Sequence, residues 1–229
     1  MSTRLIVALD FPTETHALSF IEPLSPHDCI LKVGLQLYVA AGPVFVKRLV
    51  SKGFKVFLDL KFHDIPNTVA GACKSAADLG VWMINVHAGG GPAMLKAAAE
   101  SLRGYETPPI LIGVTVLTSM DQQQLEATGV SCAADEQVQH LASLCADAGL
   151  AGVVCSALES RALKKARGDD FILVTPGIRP EGSASGDQSR IMTPVQAKAA
   201  GSDYLVIGRP ITEASDPASV IESINESLA

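Results

Sequence analysis

Asp59 and Lys61 stand two positions apart in the run Phe57-Leu-Asp-Leu-Lys-Phe-His-Asp64. On an extended strand, residues two apart share a face, so this carboxylate and this ammonium point the same way as Phe57. A charge on a covered face is costly unless it is matched. Lys32 interrupts the neighbouring apolar run 29–35, and Asp64 follows just beyond. Two lysines and two or more aspartates then crowd one small space. Such an alternating array keeps the lysines protonated while holding them ready as proton donors. The plainer reading is a structural Asp–Lys pair that closes the top of a sheet.

Other polar residues end the remaining apolar runs. They are Asp10, His87, Thr118 with Ser119, Ser156, the set Pro176, Gly177 and Arg179, and the pair Gly208-Arg209. At Gly208 the lack of a side chain would let backbone N–H groups approach a phosphate, and Arg209 could grip it bidentately. A glycine turn beside a solvated arginine is the alternative. The polar, Gly/Ser-rich stretch 179–190 is either a surface loop or a lid that closes on a ligand, with Arg179 and Gln188 as its contacts. Several features carry less. The run His87-Ala-Gly-Gly-Gly-Pro92 lacks the Lys-Ser/Thr of a phosphate loop and reads as a turn. His63 and His87 are not at metal-ligand spacing, so no metal site is expected. Neither Ser119 nor Ser156 sits in a Gly-x-Ser-x-Gly elbow. The segment 164–167 reads as the solvated end of a helix.

The elements that must position these residues follow from alternation. Eight short aliphatic runs (5–9, 29–35, 56–60, 82–86, 110–117, 152–155, 171–174 and 204–207) alternate with Ala-rich amphipathic stretches such as 68–79, 93–102, 136–148 and 220–228. The runs are nearly continuous in apolar residues, as strands buried on both faces should be. Pro43, Pro66, Pro92, Pro194 and Pro217 lie near helix starts, where a missing N–H costs little. Gly53, Gly80, Gly149 and Gly201 each follow a helix and precede a strand, a weak repeat of one αβ junction. The pattern predicts an α/β fold, a (β/α)8 TIM barrel over residues 1–229 as a single domain. A doubly wound open sheet is the runner-up, weakened because no Gly-x-Gly-x-x-Gly follows the first run.

Composition narrows the function. The chain has 229 residues, 48% of them hydrophobic, and a net charge of −6. That charge argues against broad nucleic-acid binding, yet a few aimed donors can still hold one phosphate. The five cysteines are dispersed, with no Cys-x-x-Cys, and read as reduced thiols of a cytoplasmic protein. The opening apolar run is too short for a signal-peptide core or a membrane span.

With these residues in view, the chain resembles the orotidine 5′-phosphate decarboxylases. The resemblance rests on Phe57-Leu-Asp-Leu-Lys-Phe-His-Asp-Ile-Pro-Asn-Thr68, with Ala8-Leu-Asp10, Leu31-Lys-Val-Gly34, Val116-Leu-Thr-Ser119, Thr175-Pro-Gly-Ile-Arg179, Gly186-Asp-Gln188 and Val206-Ile-Gly-Arg-Pro210. It implies removal of CO2 from orotidine 5′-phosphate to give UMP, with no metal and no organic cofactor. Lys61 would protonate C6 of the pyrimidine, and Asp59 would lie beside the substrate carboxylate. Lys32 and Asp64 would complete the array, with Asp10 and Lys32 at the ribose. Thr118 would meet the pyrimidine, while Arg179, Gln188, Gly208 and Arg209 would serve the lid and the phosphate. The resemblance also implies a homodimer, with Asp64 and Thr68 supplied to the neighbouring subunit's site. Ile65, between them, is counted with the substrate-binding residues. Two other readings remain: a Mg2+-dependent sugar-phosphate decarboxylase or aldolase of the same barrel group, and a non-catalytic phosphate-binding barrel.

Overall fold

A computed structural model describes residues 4–180 and 192–229. In it the eight apolar runs form parallel strands that close in chain order into one barrel. The strands are β1 (Leu5–Ala8), β2 (Ile30–Gly34), β3 (Val56–Phe62), β4 (Met83–His87), β5 (Ile110–Val114), β6 (Gly152–Val154), β7 (Ile172–Thr175) and β8 (Tyr204–Ile207). Between them run α1 (Glu14–Ile21), α2 (Leu35–Ser51), α3 (Pro66–Ala77), α4 (Gly91–Ser101), α5 (Gln122–Ala127), α6 (Ala134–Asp147), α7 (Ser160–Arg167) and α8 (Pro194–Ala200). The short α9 (Arg209–Thr212) and α10 (Pro217–Ser227) follow β8. This is the (β/α)8 TIM barrel expected from the alternation, and β1 pairs with β8 to close it.

Alternate residues of each strand divide the apolar material into two cores. Inside the barrel, Ile6, Ala8, Ile30, Phe57, Met83, Ile112, Val174 and Val206 pack together. The residues between them point outward against the helices, as Leu5, Val7, Leu31, Leu58, Ile84 and Leu205 do. A strand covered on both faces has no polar side, which explains the unbroken apolar runs. The lumen is therefore a filled plug, and charges can enter it only at its top.

The glycine and proline punctuation works as the sequence implies. Gly53, Gly80, Gly149 and Gly201 all have positive φ, between 78° and 103°. Pro66, Pro92, Pro194 and Pro217 sit in the first turns of α3, α4, α8 and α10. Pro43 lies inside α2, directly after Gly42 (φ 71°), where the helix breaks and restarts. The segment 164–167 differs from its expected solvated state at Lys164. This ammonium donates to the carbonyls of Asp169 and Phe171, at 2.7 and 2.9 Å, and to Asp203 Oδ2 at 2.8 Å. It thereby ties the end of α7 to the starts of β7 and β8. All five cysteines are free. Burial pushes the thiols of Cys29, Cys73 and Cys145 up to about 12, so they are inert packing groups.

Two buried glycines mark where backbone and helix press closest. A Cβ at Gly152 on β6 would fall on the Ile172 backbone carbonyl of β7, whereas one at Gly113 on β5 would meet only the Cys145 thiol of α6. Strand backbone cannot swing aside, but a thiol can turn. Gly152→Ala should cost about 3 kcal/mol, at the upper end of ordinary overpacking. Its melting temperature should then fall by roughly 6–12 °C. Gly113→Ala should fall by clearly less. Thermal unfolding followed by circular dichroism checks both, and equal losses would contradict the distinction.

Candidate active site

The charged residues of the sequence meet at the C-terminal mouth of the barrel, directly above the apolar plug. Registration explains how: Ala8 of β1 lies beside Lys32 of β2, and Gly34 of β2 beside Asp59 of β3. Asp59 is the centre. Its Oδ1 lies 2.6 Å from Lys61 Nζ, and its Oδ2 lies 3.5 Å from Lys32 Nζ. Lys32 also reaches Asp10 Oδ1 at 3.3 Å. The result is an alternating row, Asp10–Lys32–Asp59–Lys61, whose two inner members are 12% and 13% exposed. Gly34 makes room for it, since a Cβ there would stand 3.1 Å from Lys32 Nζ.

Asp59 and Lys61 do share a face, but β3 is not a regular strand between them and its end. Leu58 pairs with Ile84 and Phe62 with Val86, so β3 uses two more residues than β4 over this stretch. Lys61 sits in that bulge with φ 51°, the one non-glycine residue of positive φ among the described residues. A left-handed lysine costs about 1–2 kcal/mol, so the surroundings must hold it there. Asn85 of β4 does so. Its Oδ1 accepts the Lys61 backbone N–H at 2.8 Å, and its Nδ2 donates to Asp59 Oδ1 at 2.7 Å. Asn85 is completely buried. It did not stand out in the sequence because it lies in the apolar run 82–86. Its signal is that an amide on a lumen-facing position must have partners.

The electrostatics follow from this geometry. Burial raises the Asp59 carboxyl. The charges of Lys32 and Lys61, with hydrogen bonds from Lys61 and Asn85, outweigh burial and hold it below the usual carboxylate range. Next to Lys61, the rings of His63 and His87 stack with centroids 5.1 Å apart. Burial, then the charges of His63 and Lys61, lowers the His87 value, so its ring is neutral near pH 7. His87 Nδ1 accepts the Gly89 N–H at 3.2 Å, which fixes the start of the glycine turn expected there.

A cavity of about 290 Å3 opens above the row. Asp10, Lys32, Asp59, Lys61, Thr118, Arg179, Gly208 and Arg209 line it, as do Ser119, Pro176 and Gly177. Arg179 is buried, and its Nη1 donates to the Ile178 carbonyl at 3.0 Å. Its backbone N–H donates to Met192 O at 2.9 Å. Gln188 and residues 181–190 of the expected lid lie outside the described residues. Asp64, Ile65 and Thr68 are exposed and are not part of the cavity wall. Within one chain Asp64 does not join the row; its Oδ1 accepts the Ile65 N–H at 2.6 Å. Ser156 is a capping residue, with its hydroxyl on the Leu158 N–H. Among the described residues, no group of three or more His, Cys, Asp or Glu converges as a metal site. No helix among them is long and apolar enough to cross a membrane.

The depressed Asp59 carboxyl carries a linkage consequence. Its native value lies below its unfolded one, so the stability it contributes is fully present above the unfolded value. That stability is lost as pH falls through the native value. Carbon-detected NMR titration should place the Asp59 midpoint below the usual carboxylate range. In Lys32→Ala the midpoint should rise, because one of two neutralising charges is gone. An unchanged midpoint would refute the role given to Lys32.

The array can stabilise negative charge developing at a carbon held over Lys61, and can deliver a proton to it. Comparisons with known proteins agree with this chemistry. The profile of the Orotidine 5′-phosphate decarboxylase / HUMPS family matches residues 3–224. The chain is 59% identical over 227 residues to the orotidine 5′-phosphate decarboxylase of Vibrio campbellii, covering 99% of this chain and 97% of that one. It is 56% identical over 230 residues to that of Photobacterium profundum, covering all of both. The solved structure of the orotidine 5′-phosphate decarboxylase from Lactobacillus acidophilus superposes with a TM-score of 0.87 at 42% identity, over 97% of each chain. With the barrel, the charged row and these full-length matches together, the chain belongs to the orotidine 5′-phosphate decarboxylase / HUMPS family.

Proposed function

We propose that this protein decarboxylates orotidine 5′-phosphate to UMP, with Lys61 as the proton donor to C6 of the pyrimidine. The observation that carries the reading is the Lys61 ammonium held 2.6 Å from a buried Asp59 carboxylate at the barrel mouth. In the step, the bond between C6 and the carboxylate carbon breaks and CO2 leaves. Its electron pair stays on C6, takes a proton from Lys61 Nζ, and becomes the new C–H bond. Lys61 then regains a proton from solvent. No other group is needed to absorb the electron pair, provided a fixed positive charge stands close to C6. Lys61 supplies both that charge and the proton. Asp59 pairs with the Lys61 ammonium, and Lys32 and Lys61 together keep Asp59 ionised.

The remaining wall of the cavity fits the rest of the nucleotide. Asp10 and Lys32 meet the ribose and Thr118 meets the base. Gly208 and Arg209 receive the phosphate, with Arg179 and Gln188 on the lid side. Phosphate binding, remote from C6, can then drive closure over the reacting centre. The reading takes residues 1–229 as one barrel unit in the cytoplasm, acting without metal or organic cofactor. A pure sample with orotidine 5′-phosphate and EDTA should lose pyrimidine absorbance at the rate seen without chelator. Lys61→Ala should lower kcat by about 10^4-fold or more while still binding UMP, since both charge and proton are lost. Near-normal turnover in Lys61→Ala, or a rate abolished by EDTA, would reject the mechanism.

The proposal includes a homodimer whose sites are completed across the interface by Asp64 and Thr68. Support comes from the mouth's rim. Leu35, Val39 and Ile65 are 56%, 82% and 66% exposed, and stand at the starts of α2 and α3, the helices that follow the C-terminal ends of β2 and β3. A second copy seated there would cover them and bring its Asp64 toward the open side of Lys61. Lys61→Ala and Asp64→Ala should each be nearly inactive alone. Mixed and allowed to exchange subunits, they should recover about a quarter of wild-type activity, since half of the mixed dimers' sites are intact. No recovery despite proven exchange would place Asp64 outside the partner's site.

A further inference from the structure

We propose that Asn85 is a positioning residue for the decarboxylation, holding Asp59 and Lys61 as one rigid unit. The inference rests on the reading of Lys61 as proton donor. Asn85 lies on β4 between Ile84 and Val86, which face the helices, so its own side chain faces the lumen. There it stands opposite the bulge of β3, where regular ladder pairing is interrupted. One end of its amide accepts the Lys61 N–H at 2.8 Å; the other donates to Asp59 Oδ1 at 2.7 Å. Asp59 Oδ1 thus receives two donors, Asn85 and the Lys61 ammonium, on one oxygen.

The amide's orientation is dictated by its partners. Turned over, its NH2 would face the Lys61 N–H and its oxygen would face the Asp59 carboxylate, and both contacts would repel. A neutral side chain with one donor and one acceptor at this reach is therefore required. Aspartate offers acceptors only and would set carboxylate against carboxylate. Leucine fills the space and offers neither. Asn85 is absent from the cavity wall, so it acts on the reaction through Asp59 and Lys61 rather than through substrate. Its contribution is to hold the Lys61 backbone in the left-handed conformation, and to aim the Asp59 carboxylate that fixes the lysine's Nζ.

Asn85→Asp, close in volume to the native residue, and Asn85→Leu, which keeps its branched outline but is larger, test this with steady-state kinetics and calorimetric binding of UMP. Each should lower kcat by about 10^2-fold or more, with KM and UMP affinity within about threefold of wild type. A residue that only supports folding would instead reduce the active fraction and leave the kcat of folded, UMP-binding protein unchanged. Either variant retaining kcat within about threefold would overturn the assignment. If Asn85→Leu does not fold, Asn85→Asp, which keeps the bond to the Lys61 N–H, still decides it. Lys61→Ala assayed alongside separates the two claims. An active Lys61→Ala sinks the proton-donor reading, whereas full-rate Asn85 variants beside an inactive Lys61→Ala sink this inference alone.

Discussion

A carboxylate placed directly over a plug of Ile6, Phe57, Met83, Ile112 and Val174 stays ionised only if cations stand next to it on fixed supports. Asp59 has two, Lys61 on its own strand and Lys32 on the next. The dependence runs both ways. Lys32 is only 12% exposed and would itself be costly to bury without Asp59 and Asp10. Removing either inner member takes a partner from each of its neighbours, so the members of the row depend on one another. Much of the local architecture reads as provision for it. Gly34 clears space for the Lys32 head group, the bulge in β3 sets Lys61, and Asn85 closes the gap that the bulge leaves.

The barrel supplies what an isolated pair of strands could not. Parallel strands present their alternate residues to one lumen, so Lys32 of β2, Asp59 and Lys61 of β3 and Asn85 of β4, with Asp10 just beyond β1, meet at one end of it. Below that level the lumen is dry and filled. Above it lies a cavity of about 290 Å3. Charges at such a boundary interact more strongly than in bulk water, yet remain open to a ligand. The acidic balance of the whole chain, −6, does not describe this place. Lys32, Lys61, Arg179 and Arg209 line the cavity against Asp10 and Asp59, so its wall carries more cations than carboxylates.

What the sequence revealed, and what it hid, follows from how locally each feature is encoded. Strands covered on both faces are legible as apolar runs, and the run 204–207 coincides with β8. Helix ends were legible through Gly53, Gly80, Gly149 and Gly201, because positive φ is a local demand. The helix α2 was harder to see, since Gly42-Pro43 breaks its pattern midway. The chemistry of Asp59 and Lys61 was legible because both lie in one short segment, while the row they form with Lys32 and Asp10 needed neighbouring strands in register. Asn85 and Lys164 escaped for a related reason. An amide inside an apolar run and a lysine near a helix end look ordinary until their partners, 24 and 39 residues away, are in place. Asp64 is the reverse case. Proximity in sequence to Lys61 suggested one cluster, yet its carboxylate turns to the Ile65 N–H.

That displacement of Asp64 bears on how the site is completed. Lys61 is 31% exposed, far more than Lys32, and the only carboxylate within 4 Å of it among the described residues is Asp59. The row Asp10–Lys32–Asp59–Lys61 is charge-neutral, and at the β3 end it stops on a partly open cation, Lys61. On the proposed dimer, the Asp64 carboxylate of the second copy would extend the alternation by one step beyond Lys61. A substrate carboxylate would then sit among carboxylates as well as lysines. The lysines would favour its binding, and the aspartates would favour its loss as neutral CO2, because the negative charge then moves off the carboxylate onto C6, where the proton from Lys61 neutralises it. Such an arrangement works only if the carboxylates cannot relax away. Asp59 is held by three partners, Lys32, Lys61 and Asn85. The rigidity of that one side chain is therefore a condition for the chemistry as well as a feature of the fold.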